Sequence, residues 1–388
     1  MSRKVCVVTG TRAEFGLLRY LMQDIIDTEN IDLQVIATGT HVSNEHGLTI
    51  LEIEQAGIKV DYTVEMLLSA DTPVAITKSM GIGLIGFADA FSALKPDLVL
   101  VLGDRFELFS AVSSALIAKI PVAHLHGGET TEGAFDEAIR HSITKMSHLH
   151  FVANAAYQRR VIQLGEDPER VFLVGGLGVD AIKRTTLLCR EDLEASLGFK
   201  LGANNLLITF HPVTLDRESS TTQMTHLLNA LDQLKDTHLI FTLPNADTGG
   251  RELAEMLEVF ATNRSHVRVF ESLGHLRYLS CLQFVDGVIG NSSSGLAEAP
   301  SMGIGTVNIG DRQKGRLSAN SVIHCSPTYE HILEALLYLK SDQFQTSLSS
   351  ITNPYGDGGA CQKIVDVIKK HPLERLLKKT FYDVQFRI

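Results

Sequence analysis

The residues best suited to proton transfer lie in one short stretch, 124–137, which holds two histidines and four carboxylates within fourteen residues. His124 and His126 alternate, which predicts that both rings lie on one side of a strand end. Gly127 and Gly128 let the backbone approach a ligand closely. The stretch has no H-x-x-x-H or H-E-x-x-H spacing, so it favours acid–base chemistry over a metal site.

Near its end the same stretch offers a further acid, Asp136. An apolar stripe of Ile139, Ile143 and Met146 predicts a helix that begins just after Asp136, so N-capping is the structural alternative to catalysis. The same helix carries three side chains that a solvated face would also explain: Arg140, His141 and Lys145.

Another acid, Asp104, stands beside Arg105 directly after the apolar run 97–102. An acid and an arginine at a strand's carboxyl end can combine catalysis with phosphate binding, because ligands of doubly wound sheets bind at that edge. A salt bridge inside the protein is the alternative. The position at a strand end favours the functional interpretation of Asp104.

Two glycine-containing turns are suited to binding a diphosphate. Residues 9–16 follow the first apolar run, where Gly10 permits a tight turn and Arg12 can reach a phosphate. Residues 290–298, G-N-S-S-S-G-L-A-E, follow another run and offer backbone N–H groups, hydroxyls and a helix N-terminus. The alternative for residues 9–16 is an ordinary turn with a solvated arginine. The alternative for residues 290–298 is simple capping of a helix by Ser or Asn.

Further polar residues follow other predicted strands. His211 precedes Pro212 at one strand end, residues 244–247 end the next strand, and Arg312 follows the last. His41 is a weaker candidate in the first half of the chain. Neither G-x-G-x-x-G nor G-x-x-x-x-G-K-[ST] occurs, which disfavours a nicotinamide dinucleotide and a P-loop.

Short apolar runs alternate with helix-length segments along the chain, which predicts parallel sheets covered on both faces. The predicted strands include 5–8, 33–37, 97–102, 122–124, 149–152, 171–174, 206–210, 239–243, 267–270, 285–289 and 306–309. The pattern restarts after residues 183–205, and 388 residues exceed the ~150 typical of one domain. We therefore predict an α/β protein of two doubly wound domains.

Composition excludes several classes of protein. With 44% hydrophobic and 21% charged residues the chain is neither disordered nor collagen-like, and a net charge of −10 argues against a broad nucleic-acid surface. No apolar run approaches the ~18 residues of a membrane span. Five scattered cysteines without a C-x-x-C pair argue against disulfides and zinc, so we expect a protein of the reducing cytoplasm.

The motifs in this order resemble the hydrolysing UDP-N-acetylglucosamine 2-epimerase family of sialic-acid and legionaminic-acid biosynthesis. The resemblance covers nearly the whole chain and rests on their combination: 9–16, 103–107, 124–129, 136–141, 211–214, 244–247, 291–298 and 311–312. It implies a GT-B fold, in which two Rossmann-like domains have an interdomain cleft between them. The implied domains are 1–182, carrying the catalytic acids, and 183–365, binding the nucleotide, with a C-terminal helix in 366–388 that crosses back to the first.

The resemblance implies conversion of UDP-N-acetylglucosamine and water into N-acetylmannosamine and UDP. In the family's mechanism the C2 proton is abstracted, UDP leaves anti to give 2-acetamidoglucal, and water adds with inversion at C2. This chemistry needs acid–base groups near C2 and cations on the leaving diphosphate, but no metal and no cofactor. The family also implies a homodimer or homotetramer, with no nucleic-acid or membrane partner.

Matched motif by motif, Asp104 and Asp136 correspond to the family's catalytic acids. The third catalytic position is glutamate in members that read H-I-E-G-G-E and is His126 here, with Glu129 as the nearest rival for the base. Eight residues correspond to nucleotide-binding positions: Arg12, Arg105, His211, Asn245, Ser292, Ser293, Glu298 and Arg312.

The H-x-H-G-G-E form is similar to the branch that contains legionaminic-acid enzymes. That branch uses UDP-2,4-diacetamido-2,4,6-trideoxyglucose or GDP-N-acetylglucosamine, whereas UDP-N-acetylglucosamine serves the larger part of the family and is the first expectation. A non-hydrolysing epimerase, a GT-B glycosyltransferase and a nucleotide-sugar sensor are the competing functions. Intact acids around C2 argue against the sensor.

Overall fold

The computed structural model describes residues 2–70, 72–131, 134–213, 219–244 and 249–385. The chain divides into two compact units: unit 1 holds residues 1–129, 136–183 and 355–388, and unit 2 holds 130–135 and 184–354. Residues 355–365 lie with unit 1, whereas the sequence analysis grouped them with the second domain. The predicted domain boundaries remain a prediction.

Strands and helices alternate in both units. Unit 1 begins with β1 (Arg3–Thr9), α1 (Arg12–Ile26), β2 (Ile31–Thr38), α2 (Ile50–Gln55), β3 (Tyr62–Val64), α3 (Pro73–Leu94), β4 (Leu98–Leu102), α4 (Phe106–Ile117), β5 (Val122–Leu125), α5 (Asp136–Met146), β6 (Leu149–Val152), α6 (Ala155–Gln163), β7 (Val171–Leu173) and α7 (Leu177–Arg184). The chain continues with α8 (Arg190–Leu197), β8 (Asn204–Thr209), α9 (Ser220–Leu231), β9 (Thr237–Thr242), α10 (Gly250–Ala261), β10 (Val267–Phe270), α11 (Gly274–Cys281), β11 (Gly287–Gly290), α12 (Ser294–Ala297), β12 (Thr306–Ile309), β13 (Val322–Cys325), α13 (Tyr329–Leu339) and α14 (Asp342–Ser347). The last helix, α15 (Ala360–Lys370), belongs to unit 1 again.

In the described part of unit 1, seven parallel strands form one sheet in the order β3-β2-β1-β4-β5-β6-β7. Successive side chains of β1 pack on opposite faces: Val5 and Val7 join a core with α1 and α15, and Cys6 and Val8 join a core with α3 and α4. Both faces are therefore covered, which is why the strands are apolar throughout.

Unit 2 contains a second parallel sheet, of six described strands in the order β10-β9-β8-β11-β12-β13. Its core packs alternate residues of β8, such as Leu206 and Ile208, against α9, α10 and α13. Two parallel sheets covered by helices confirm the predicted α/β class with two Rossmann-like, doubly wound sheets.

All eleven predicted strands are present, with ends that shift by a few residues at most. The sequence analysis missed β3 and β13, which are the outermost strands at one edge of each sheet. Tyr62–Val64 has three residues and Val322–Cys325 has four, and both are only partly buried. Short edge strands need no continuous apolar run, so they leave a weak sequence signal.

The sequence contains no uninterrupted apolar run of about 18 residues, but α3 meets a looser criterion. Among the described residues, Pro73–Leu94 is long and apolar enough to span a membrane by length and composition alone. Lys78 and Asp89 are the charged residues of this segment. Many of its other residues are glycine and alanine, so a count of large apolar side chains underestimates how apolar the segment is. In unit 1 this helix buries Phe87 and Phe91 in the core beside α4, whereas Ile82, Leu84 and Ile85 on the same helix are exposed.

Candidate active site

The predicted site residues of unit 1 follow strands β1, β4 and β5 or begin helix α5: Arg12, Asp104, Arg105, His126, Glu129 and Asp136. Because the strands are parallel, their carboxyl ends lie along one edge of the sheet, the edge at which such folds bind ligands. The contacts made by each side chain show which of these residues come together.

Arg140 on α5 joins three of the candidates. It is 1% exposed, donates to the Asp104 carboxylate, and donates to the main-chain carbonyl of His126 at 3.3 Å. Its NH1 group also lies 3.9 Å from Glu129 Oε2. The interpretation of Arg140 as part of a solvated face was therefore wrong. Asp104 pairs with Arg140 and not with its neighbour Arg105.

His126 and Glu129, the two rivals for the base, form a pair. His126 Nδ1 lies 2.9 Å from Glu129 Oε1, and His126 Nε2 is buried without a hydrogen-bond partner among the described residues. A carboxylate beside one ring nitrogen can orient an imidazole and leave the other nitrogen to exchange protons. His126 has φ +62°, in the left-handed region that non-glycine residues adopt uncommonly.

The alternation of His124 and His126 predicted both rings on one side of a strand end, but the two side chains have different surroundings. Strand β5 ends at Leu125, so the alternation stops before His126. His124 is fully buried between Thr144 Oγ1 at 3.2 Å and the Gly103 carbonyl at 2.8 Å. Burial lowers its pKa to about 3, which keeps the ring neutral. Through its contact with the Gly103 carbonyl, His124 thus stabilises the turn that contains Asp104.

Asp136 is the first residue of α5 and does not precede the helix. It is half-buried, in the first helical turn together with Glu137, whose Oε1 lies 3.0 Å from His141 Nε2. Arg140 is one turn further along and on the same face of the helix, which brings Asp136 and the Arg140 network into one region of unit 1.

The two arginines of unit 1 that the motifs assign to phosphate already have carboxylate partners. Arg12 Nε lies 2.9 Å from Glu52 Oε1, and Arg105 Nε donates to Glu107 Oε2 at 3.2 Å. Glu107 is fully buried. A bound phosphate must therefore compete with these carboxylates or use the guanidinium N–H groups that they leave.

Glu14, which the sequence analysis passed over, lies in the same turn. Its Oε2 accepts from the Gly10 N–H at 2.8 Å, while Oε1 is buried without a partner in the described structure. Burial, reinforced by the negative charge of Glu107, raises the pKa of Glu14 to about 8. This carboxyl is consequently protonated at neutral pH.

His41, the weaker candidate, is an internal side chain. It is fully buried between Thr9 Oγ1 at 3.1 Å and Thr49 Oγ1 at 2.7 Å, and burial lowers its pKa to about 4. A neutral histidine with both ring nitrogens engaged supports the packing of the β1 and β2 ends. It offers no group to a ligand.

In unit 2 the candidates follow β8, β11 and β12. His211 is 7% exposed, and its main-chain N–H and carbonyl are both bonded to the side chain of Asn291, at 2.7 and 2.9 Å. Arg312 NH1 and Gln313 Nε2 donate to the Asn291 carbonyl, at 3.4 and 2.8 Å. His211 and Arg312 are therefore joined through one residue.

The remaining predicted residues of unit 2 lie around α12. Ser292, Ser293 and Glu298 are all half-buried, and Glu298 directly follows the helix. Because α12 spans only four residues, backbone N–H groups and hydroxyls are better placed than a helix dipole to bind an anion here. Asn245 lies outside the described residues.

Three residues of these networks were underrated or missed from sequence: Arg140, Glu14 and Asn291. The sequence did contain an indication for Arg140: it is four positions after Asp136, which places both residues on one face of the helix. Asn291 stood within the recognised loop motif, but its role depends on a partner 80 residues away. Among the described residues, no group of three or more His, Cys, Asp or Glu side chains could hold a metal ion.

Comparisons with known proteins agree over the whole chain. A sequence model of the family UDP-N-acetylglucosamine 2-epimerase matches residues 23–369. The chain is 43% identical over 384 residues to the GDP/UDP-N,N′-diacetylbacillosamine 2-epimerase (hydrolyzing) of Campylobacter jejuni, covering 98% of this chain and 99% of that protein. It is 38% identical over 384 residues to polysialic acid biosynthesis protein P7 of Escherichia coli, covering 98% of each.

Another relative and a solved structure extend the comparison. The UDP-N,N′-diacetylbacillosamine 2-epimerase (hydrolyzing) of Legionella pneumophila is 35% identical over 373 residues, 96% of this chain and 97% of that protein. The crystal structure of the Neisseria meningitidis UDP-GlcNAc 2-epimerase bound to UDP-GlcNAc has a TM-score of 0.80 at 20% identity, covering 95% of this chain and all of that one. At this identity the likeness concerns the fold, and it confirms the predicted GT-B class.

Proposed function

Since the chain belongs to the UDP-N-acetylglucosamine 2-epimerase family, in its hydrolysing branch, we propose that it hydrolyses and epimerises a nucleoside-diphosphate-linked 2,4-diacetamido-2,4,6-trideoxyglucose. This sugar is N,N′-diacetylbacillosamine. The relatives at 43% and 35% identity are named for it, which favours it over the first expectation, UDP-N-acetylglucosamine. UDP-N-acetylglucosamine is the second candidate, supported by the relative at 38% that is named for polysialic acid biosynthesis.

The network of Asp104, Arg140, Glu129 and His126 carries the proposal. It places two acids and an imidazole around one buried guanidinium within unit 1. An elimination at C2 of an amino sugar needs a base for the C2 proton and a proton donor for the later addition of water. A binding protein without turnover has no use for such a set.

In the proposed mechanism, His126 Nε2 removes the C2 proton while Glu129 holds Nδ1 and stabilises the imidazolium that forms. The C1–O bond breaks on the opposite face, the nucleoside diphosphate leaves, and a glycal with a C1–C2 double bond remains. Water then adds at C1, and Asp104 or Asp136 governs proton delivery to C2, so that C2 is inverted. The products are the free manno-configured sugar and the nucleoside diphosphate.

The nucleotide-binding roles follow the motifs. Arg12 and Arg105 in unit 1 are proposed to bind the diphosphate, and unit 2 is proposed to contribute six residues: His211, Asn245, Ser292, Ser293, Glu298 and Arg312. Positive groups on the leaving diphosphate lower the barrier to C1–O cleavage because charge develops on the leaving oxygen. The homodimer or homotetramer implied by the family stays a prediction, measurable by sedimentation equilibrium.

The test is an incubation in D₂O with four substrates: UDP- and GDP-N,N′-diacetylbacillosamine, UDP-N-acetylglucosamine and GDP-N-acetylglucosamine. We expect free nucleoside diphosphate and a sugar that carries deuterium at C2, fastest with a diacetylbacillosamine substrate. Asp104→Asn serves as the inactive control, with a loss of at least ~10²-fold in kcat. Retention of hydrogen at C2 would disprove elimination, and a nucleotide-bound epimer as the product would identify a non-hydrolysing enzyme.

A further inference from the structure

Asn291 connects the ends of three strands in unit 2. Its side chain is fully buried, with Oδ1 accepting from the His211 N–H at 2.7 Å and Nδ2 donating to the His211 carbonyl at 2.9 Å. Its own N–H donates to the Thr209 carbonyl at 3.2 Å, and its carbonyl accepts from Gln313 at 2.8 Å. Every polar group of Asn291 is therefore used. Its bonds reach Thr209, the last residue of β8, and residues that follow β8 and β12.

The preceding residue explains how Asn291 reaches this position. Gly290 has φ +128°, and a Cβ there would lie 2.0 Å from the Thr209 carbonyl oxygen. Only glycine permits so close an approach between the ends of β11 and β8, which are adjacent strands with Gly290 in register with Thr209. The next side chain, Asn291, then spans the short distance to the main chain of His211.

We propose that Asn291 is a positioning residue for the nucleotide, acting by holding the main chain of His211 and the turn that carries Arg312. This inference rests on the proposed function, because it concerns the same nucleotide site. The two-bond bridge fixes both the N–H and the carbonyl of His211, so the imidazole has little freedom to leave the loop. Asn291 connects His211 and Arg312, and each of these residues is proposed to bind the nucleotide on the basis of a separate motif.

A purely structural role is the competing explanation, and the same sheet offers a matched control. Asn205 is also buried and makes the same kind of bridge, with Oδ1 accepting from the Gly202 N–H at 2.8 Å and Nδ2 donating to the Gly202 carbonyl at 3.2 Å. It lies at the amino end of β8, whereas Asn291 lies at the carboxyl end of β11. Both bridges support folding, but only that of Asn291 lies at the edge where ligands bind.

The experiment measures the Kd of UDP and GDP by calorimetry for Asn291→Asp, Asn205→Asp, His211→Ala and the double variant Asn291→Asp/His211→Ala. In Asn291→Asp a carboxylate oxygen, an acceptor, replaces the Nδ2 group that donates to the His211 carbonyl. We therefore expect Kd to rise at least tenfold, which is the order of the effect of losing one or two orienting hydrogen bonds. Asn205→Asp should lower the melting temperature comparably while leaving Kd unchanged. In the His211→Ala background the Asn291 substitution should add less than about twofold. It alters only the side chain, which bonds to His211, and keeps the main-chain carbonyl that accepts from Arg312 and Gln313.

Two results would overturn the inference in distinguishable ways. If the unchanged protein binds neither UDP nor GDP, the proposed function fails and the inference fails with it. If the unchanged protein binds a nucleotide and Asn291→Asp binds it equally well, only the inference fails. Should the aspartate prevent folding, Asn291→Ala paired with Asn205→Ala removes both bonds without adding a charge and gives the same comparison.

Discussion

Arg140 is a buried cation on which the positions of Asp104 and Glu129 depend. Replacing it by methionine removes the cation that contacts both carboxylates, and losing one partner of a buried ion pair costs about 3–5 kcal/mol. We expect Arg140→Met to lose stability on that scale in urea unfolding and to lose most of kcat. Arg159→Met, at an exposed position on α6, should change stability by no more than about 0.5 kcal/mol. Equal stabilities of the two variants would contradict the structure of the network.

The pairing of His126 with Glu129 predicts unequal losses when each is replaced. If His126 takes the C2 proton, His126→Gln should lower kcat by about 10²–10⁴-fold, the contribution of one general base. Glu129→Gln keeps an oxygen near Nδ1 but loses the charge, so its loss should be smaller. Rapid-quench measurement of a single turnover gives both rates. A larger loss in Glu129→Gln would make Glu129 the base and His126 its partner.

The N-terminal turn of α1 contains a protonated carboxyl, and its titration gives the helix a distinctive pH dependence. Burial and Glu107 raise the pKa of Glu14 to about 8, while the Gly10 N–H and Arg105 oppose the shift. The folded state then holds a proton that the unfolded state has lost above pH ~4.5, so stability from this group falls as pH rises through 4.5 to 8. Glu14→Gln should therefore gain stability relative to the unchanged protein across that window.

The control for this prediction is Glu54→Gln on α2, at an exposed position. Its difference from the unchanged protein in chemical unfolding should stay flat between pH 5 and about 8. If the Glu14→Gln difference is equally flat, the carboxyl is ionised in the folded protein and the helix terminus tolerates its charge.

The segment after α15 is held to unit 1 by an ion cluster. Lys379 donates to Glu166 Oε2 and to the Ser147 carbonyl, both at 2.8 Å, and His150 Nε2 lies 2.9 Å from Glu166 Oε2. Glu166 is 2% exposed, so losing one cation there is costly. We expect Lys379→Met to destabilise the protein by about 1.5–3 kcal/mol, the scale of hydrogen bonds to a charged group. Lys378→Met, at an exposed position, is the control in the same unfolding assay.

For the whole chain, a nucleotide that binds the folded protein must stabilise it. At about one hundred times Kd, the gain in unfolding free energy is about 2.7 kcal/mol, whichever contacts supply the affinity. We expect UDP or GDP to raise the melting temperature accordingly. ADP at the same concentration should raise it less, because a ligand with a higher Kd stabilises less at equal concentration. Equal stabilisation by all three would show that the protein recognises only the diphosphate and does not discriminate between bases.

The arrangement of the sheets and the location of the acids at their edge were readable from local patterns. Buried parallel strands are apolar along their whole length, so runs such as 98–102 are recognisable in the sequence. The residue just after such a run must lie at the ligand-binding edge of the sheet. Asp104 was found in this way. The same reasoning missed β3 and β13, because strands at the edge of a sheet need fewer apolar residues.

Only the tertiary structure shows which side chains pair, because the partners are distant from each other in the chain. Asp104 meets Arg140 across 36 positions, and Asn291 meets His211 across 80. A charged residue on a helix looks the same in sequence whether it faces water or a buried carboxylate. Its burial is set by which neighbouring segment covers it, and for Arg140 that neighbour is the loop after β4, brought close by the pairing of β4 with β5.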